Sequence, residues 1–312
     1  MQRGSATFRQ DIADVLFENA LGRGQFVGEE IMPVMPVGVH SGNFAKIAFG
    51  QVKTKAVDDK RSTAGNFNQV THETTEDNFT CVERGLEEPV DERNARILAN
   101  YFDAETAAAA HCRYYLRLNR EARIAAIAFS TTVMSSYTTA VSTSWDTAAT
   151  CTPVEDVAKA KENLILQING LLGEGARIIG VGNLTARRHL KVCTDIKNRH
   201  YSGGNVNSQD PTDAQLAEIL DLDAVYFSGA KRAGSYIWNA SRFGIYAVSD
   251  SVQFSSTPMF GKTMLYRDNT PTDMMVESYR DETRRSDIVR VMHDSTEKLL
   301  TARAGHLLTN IT

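Results

Sequence analysis

The sequence predicts an α+β fold in which extended, sparsely apolar pieces gather around one long helix and a compact α/β unit follows. Three observations carry this. Residues 103–129, DAETAAAAHCRYYLRLNREARIAAIAF, contain no Gly or Pro and are dominated by good helix formers. Residues 38–84 alternate weakly and are polar, the pattern of a hairpin too poor in apolar residues to be stable alone. From residue 151 onward, helical and strand-like segments alternate, and Gly and Pro mark the joints.

The long helix comes first because the other pieces need its surface. At a rise of ~1.5 Å per residue it is roughly 40 Å long. Asp103 is its expected N-cap; Thr106 stands where a capping box needs Glu or Gln, so the box is incomplete. Ala108, Cys112, Tyr115, Ala122, Ala126 and Phe129 form an expected packing stripe at helical spacing. Small residues dominate it, so a close neighbour is expected there. Arg113, Arg117 and Arg120 share another face, read either as solvated or as turned toward a polyanion or a second subunit.

Before the helix, residues 1–37 read as an arm with an amphipathic piece at 11–21, broken afterwards by Gly22, Gly24, Gly28, Pro33 and Pro36. It has too few apolar residues for its own core and needs another surface, of its own chain or of a neighbour. The hairpin that follows has arms at 43–57 and 69–82 and a polar turn region at 58–66. Lys46, Lys53, Lys55 and Lys60 fit the protection of an exposed edge. Pro89 with Glu87, Glu88, Asp91 and Glu92 reads as a loop entering a helix N-terminus. Residues 130–150 are a Ser/Thr-rich connector. In the α/β unit, helices are predicted at 153–169, 184–192 and 213–222, and strands at 176–181 and 224–227. The last part carries two antiparallel strands, 274–279 and 288–293, joined by the charged link from Arg280 to Asp287.

The totals exclude several classes. The 312 residues carry 34 basic and 38 acidic side chains, a net charge of −4, and no basic tail that would bind nucleic acid strongly. No apolar run approaches the ~20 residues of a membrane span. The N-terminus lacks the apolar core of a signal peptide, so the chain is expected to be made and kept in a cytosol. Cys81, Cys112, Cys151 and Cys193 are widely spaced, without a CxxC, and read as four buried or indifferent thiols. No HExxH, paired-histidine or GxSxG pattern occurs. Gly180 and Gly182 follow a strand and precede a helix, but the third glycine of a dinucleotide fingerprint is replaced by Thr185. A tight strand-to-helix turn capped by Asn183 or Thr185 explains the glycines.

The order of these parts, and the phrases ERGLEEPVDERN, ARIIGVGNLTARRHL, LAEILDLDAVYFSGA and VESYRDETRRSDIVRVMHDS, resemble the major capsid proteins of tailed double-stranded DNA bacteriophages, with the Hong Kong 97-type fold. The resemblance covers nearly the whole chain. It implies an N-terminal arm (1–37), an extended loop (38–84), a peripheral domain (85–150) containing the spine helix (103–129), an axial domain (151–255) and a return to the peripheral domain (256–312). It also implies a non-enzymatic function without cofactor or metal: hexamers and pentamers closing into an icosahedral shell around packaged DNA, within a virion assembled in the host cytoplasm. The implied partners are other copies of the chain, a portal protein, a decoration or cement protein, DNA held by non-specific contact, and no membrane. Met1 begins almost at the arm, which favours a separate scaffolding protein over a cleaved leader.

The resemblance places Arg280, Asp281, Glu282, Arg284, Arg285, Asp287 and Arg290 near local three-fold axes, where mixed signs on neighbouring copies complement each other. Lys53, Lys55 and Lys60 are the extended-loop lysines that a covalent cross-link to a neighbour would use. Two other readings stand beside the capsid. One is an encapsulin-type compartment shell of the same fold. The other is an α/β enzyme built on 151–255, for which no catalytic set is found.

Overall fold

The computed structural model describes residues 7–8, 26–47, 60, 65, 74–98, 103–173, 175–201, 210–250, 258–267 and 273–312. The amphipathic piece at 11–21, Lys53, Lys55 and most of the expected hairpin turn lie outside them.

The organising element is α3 (Ala104–Ala128). Asp103 caps it, its carboxylate accepting from the backbone N–H groups of Glu105 and Thr106. The buried stripe recurs every four residues through Ala108, Cys112, Leu116, Arg120, Ile124 and Ala128, with Ala109, Glu121 and Ala125 beside it. This shifts the expected face. Tyr115 is 56% exposed and Ala126 is exposed, while Ala122 is half-buried. Two charged residues, Arg120 and Glu121, lie within the buried stripe, and an apolar count steps around them.

The N-terminal half of α3 packs on a sheet that has six strands among the described residues. These are β1 (Thr7–Phe8), β2 (Val34–Val37), β5 (Val82–Asp91), β12 (Gly261–Tyr266), β13 (Met275–Asp281) and the long β14 (Ser286–Leu299). β14 pairs antiparallel with β13 along its first half, with β12 along its second, and with β5 on its other side. Ala108, Cys112 and Leu116 meet Val90, Val276, Val289 and Val291 at this contact. The acidic stretch around Pro89 is therefore a strand and not the expected loop. Among the described residues β5 pairs on one side only, with β14, and an edge strand tolerates a proline. Its carboxylates also find cations: Glu87 Oε1 lies 2.6 Å from Arg290 Nε. The short helix α2 (Glu92–Leu98) follows.

The C-terminal half of α3 enters a second, larger core. Its sheet runs β6 (Thr138–Ala140), β15 (Gly305–Thr309), β11 (Arg242–Ser249), β7 (Ala176–Asn183) and β8 (Ala224–Ser228). α4 (Pro153–Gln167), α5 (Leu184–Val192), α6 (Thr194–Tyr201) and α7 (Asp213–Ile219) accompany it. β6 and β15 belong to this sheet although the linear boundaries 151 and 256 leave both outside the unit. Nothing in five short residues marks which sheet a terminal strand joins. The core gathers Trp145, Trp238, Phe243, Tyr246 and Phe260, all at most 1% exposed. Tyr246 donates to the Ala128 carbonyl at 2.8 Å, which ties the end of α3 to β11. α3 thus spans two cores, with its two halves buried in different bodies.

The glycines at the end of β7 serve packing. A Cβ on Gly180 would sit 2.8 Å from both Leu222 and Phe243, and one on Gly182 would sit 2.9 Å from Phe243. Asn183 caps α5, accepting from the N–H groups of Thr185 at 2.9 Å and Ala186 at 3.0 Å.

The hairpin is present at its base. β3 (Ser41–Ile47) pairs antiparallel with β4 (Thr74–Thr80) as a separate two-stranded ribbon. Phe44 and Phe79 anchor that base against Met35, Cys81 and Met264. Lys298 Nζ reaches Asp77 at 2.7 Å.

Candidate intersubunit surfaces

The arm's last part is not a loose extension. Val27 is 3% exposed, Ile31 and Met32 are fully buried, and α1 (Gly28–Ile31) lies against α3. Glu121 fixes it there. Its Oε1 accepts from Val27 N at 2.8 Å and Trp238 Nε1 at 2.7 Å, and its Oε2 accepts from Gly28 N at 2.8 Å. Burial pushes this carboxyl's pKa up, against the pull of the three N–H donors. Gly28 allows the approach, because a Cβ there would lie 2.6 Å from Oε2. Segment 26–32 is therefore part of the chain's own core, and Thr7–Phe8 also pairs with β13 of the chain's own sheet.

Beside this junction lies an ionic cluster. Arg120, 1% exposed, donates to Asp273 at 3.1 and 3.3 Å and also to Glu29. Arg117 lies 3.6 Å from Glu29, and Arg123 grips Glu297 with two bonds of 2.7 Å. The arginine face is thus neither simply solvated nor wholly free for a polyanion. Burial alone would raise Asp273, but the charge and hydrogen bonds of Arg120 hold its carboxyl below the usual range. These partners were illegible in sequence, since Glu29 and Asp273 stand 91 and 153 residues from Arg120. The one available signal is Arg120 itself, the single charge in the four-spaced series Ala108, Cys112, Leu116, Ile124 and Ala128.

His293 is 5% exposed in the same region, and neither ring nitrogen has a hydrogen-bond partner among the described residues. Burial, then the charge of Arg120, lowers its pKa to about 4, with Arg123 adding to the effect and Asp273 and Glu297 opposing it. A histidine depressed below its ordinary value of 6.5 binds its proton less readily when folded, so stability falls as pH drops from about 6.5 through about 4. The expected loss across that window is on the order of 3 kcal/mol. Urea midpoints measured against pH for the native chain and for His293→Phe check this. The variant should lose the slope in that window, and an unchanged slope assigns the acid sensitivity elsewhere.

The charged link between β13 and β14 divides into inward and outward members. Arg280 reaches Glu92 at 3.1 Å and Asp287 at 3.2 Å, and Arg290 binds Glu87 and approaches Glu277 at 3.6 Å. Asp281 accepts from Thr283 N at 2.9 Å. Glu282, Arg284 and Arg285 are exposed. Arg284 has one long pair, 3.8 Å to Asp281, and Arg285 has no ion pair among the described residues. Lys60 is exposed as well. Ala122 and Ala126 line a cleft of about 410 Å³, with Phe129, Tyr236, Asn239 and Arg242 on its other walls. Among the described residues no group of three or more His, Cys, Asp or Glu side chains could hold a metal ion, and no helix is long and apolar enough to cross a membrane.

A spine helix across a sheet, a separate hairpin ribbon, a short arm helix and an α/β unit together make the Hong Kong 97-type fold. Solved structures bear this out over nearly the whole length. A phage-related protein of Bordetella bronchiseptica matches with a TM-score of 0.70 and 21% identity, covering 98% of each chain. A chain from the capsid of cyanophage P-SCSP1u matches with a TM-score of 0.59 and 9% identity, over 99% of this chain and 89% of that one. The encapsulin of Synechococcus elongatus matches with a TM-score of 0.52 and 10% identity, over 90% and 86%. No protein-family model and no curated protein matches the sequence.

Proposed function

We propose that the chain is the major capsid protein of a tailed phage, assembling as hexamers and pentamers into an icosahedral shell around packaged double-stranded DNA. The observation that carries this reading is the fold match to a phage-related protein and a cyanophage capsid over almost the entire chain. The anatomy agrees with it. The hairpin ribbon has too little apolar surface to stand alone and suits a contact across copies. Weak contacts repeated around a closed shell add through effective concentration. In this reading the shell is assembled in the host cytoplasm with a scaffolding protein, joins a portal, accepts a decoration protein, and performs no catalysis. In the same reading Lys53, Lys55 and Lys60 are the extended-loop lysines that a covalent cross-link to a neighbour would use.

The cleft beside Ala122 and Ala126 is the place on the spine where a neighbouring copy fits. Ala122→Leu is expected to change monomer stability by less than ~0.5 kcal/mol, because the cleft has room. It should strongly reduce particle yield. Normal shells from this variant would mean that no neighbour enters the cleft.

The second reading, a compartment shell, is favoured by the encapsulin match. Purified particles separate the two: nuclease-protected double-stranded DNA supports the capsid, and a protein cargo without DNA supports the compartment. Protein that remains a monomer under all assembly conditions opposes both.

A further inference from the structure

Two cysteines far apart in sequence meet in the α/β unit. Cys151 stands just before α4, and Cys193 joins α5 to α6. Their exposures are 3% and 0%, and their sulfurs are 2.6 Å apart. Both backbones are already fixed. Cys151 N donates to Thr147 O at 3.1 Å, Cys193 N donates to His189 O at 3.0 Å, and Thr194 N donates to Ala148 O at 2.9 Å across the two segments. Cys151 also lines a cavity of about 320 Å³, whose rim includes the exposed residues Thr150, Thr194 and Arg199. Cys193 does not line it. Cys81 and Cys112, equally buried, have no such sulfur neighbour among the described residues.

We propose that Cys151 and Cys193 are a disulfide-forming pair, closed by a small-molecule disulfide that enters through this cavity. The Cys151 thiolate attacks one sulfur of oxidised glutathione and expels one glutathione thiolate. Cys193 then attacks the Cys151 sulfur of the mixed disulfide and expels the second glutathione. The two cysteine protons end on the two glutathione thiols; the protein pair is oxidised and the glutathione disulfide is reduced. The bond would join the start of α4 to the α5–α6 junction and close a loop through α4, β7 and α5. Such a loop restricts the unfolded chain, so the oxidised form is the more stable. Burial, then the neighbouring Cys193 sulfur, pushes the Cys151 thiol up to about 12, so closure should be slow near neutral pH and faster in alkali.

The test uses the full chain, first reduced with dithiothreitol and then incubated folded with oxidised glutathione. Remaining thiols are counted after denaturation, and the cross-link is mapped by mass spectrometry. The expected result is a fall from four free thiols to two, a peptide joining Cys151 to Cys193, and no retained glutathione. The thermal midpoint should rise by roughly 5 °C and return on reduction. Cys193→Ser should stop at a glutathione adduct on Cys151. Four thiols after oxidation, a mixed disulfide that persists in the native sequence, or a cross-link through Cys81 or Cys112 would overturn the proposal. Should the serine variant not fold, the thiol count and the peptide map of the native sequence decide alone.

Discussion

Glu121→Ala is expected to be strongly destabilising. It removes the acceptor of three N–H groups, from Val27, Gly28 and Trp238, and leaves them buried. It also opens a void beneath a segment whose Ile31 and Met32 are fully buried. Each orphaned buried donor costs ~1–3 kcal/mol, so stranding three takes a large share of the ~5–15 kcal/mol that holds a typical domain together. Glu121→Gln should cost less, about 2 kcal/mol, since one oxygen still accepts while its NH₂ group faces donors. Gly28→Ala should reproduce part of the loss from the other side, because the added methyl displaces the carboxylate. Denaturant unfolding measures all three. If the alanine variant lies within ~0.5 kcal/mol of the native chain, the junction is not what holds segment 26–32 to the spine.

Reversing Arg284 and Arg285 to Glu is expected to abolish shell assembly while leaving the monomer fold intact. Both side chains are exposed, and neither carries a strong pair among the described residues. Exposed pairs give only ~0.2–1 kcal/mol each, yet a network repeated at every local three-fold axis multiplies that contribution. Arginine suits the contact because its planar fork holds a carboxylate with two bonds. Glu282, whose side chain is 83% exposed and which pairs with Arg280 only at 3.5 Å, is the acid we propose meets these arginines on the neighbouring copy, since Asp281 already accepts from Thr283 N. Glu282→Arg in the doubly reversed chain should therefore restore part of the assembly. Arg280→Glu behaves differently: it places a carboxylate against Glu92 and Asp287 and should destabilise the monomer itself. Assembly yield by sedimentation, read beside the thermal midpoint, separates the two effects. Normal particles from the Arg284/Arg285 variant would make the link a solvated turn.

The sequence and the structure agree most where a signal is local. α3 lies within one residue of its predicted bounds at each end because propensity and the Asp103 cap both act nearby. α5 begins at Leu184 because Asn183 caps it. The buried face of α3 was misplaced because Arg120 is paired with, and Glu121 hydrogen-bonded by, groups distant in sequence, and a hydrophobic count cannot register a partner 153 residues away. β5 read as a loop because acids and a proline depress strand propensity, while the pairing that overrides them comes from β14. β6 and β15 were assigned to other bodies because their places depend on the finished sheet. Within the charged link, residue types announced a contact surface, but the division between Arg280 and Arg290, satisfied at home, and Arg284 and Arg285, turned outward, needed coordinates.

Electron microscopy of particles purified without nuclease and then nuclease-treated tests the capsid reading most directly. The reading predicts closed icosahedral particles built of hexamers and pentamers, with protected double-stranded DNA when produced alongside a packaging portal. Single folded chains that never close into particles, even with a scaffolding protein present, would contradict it.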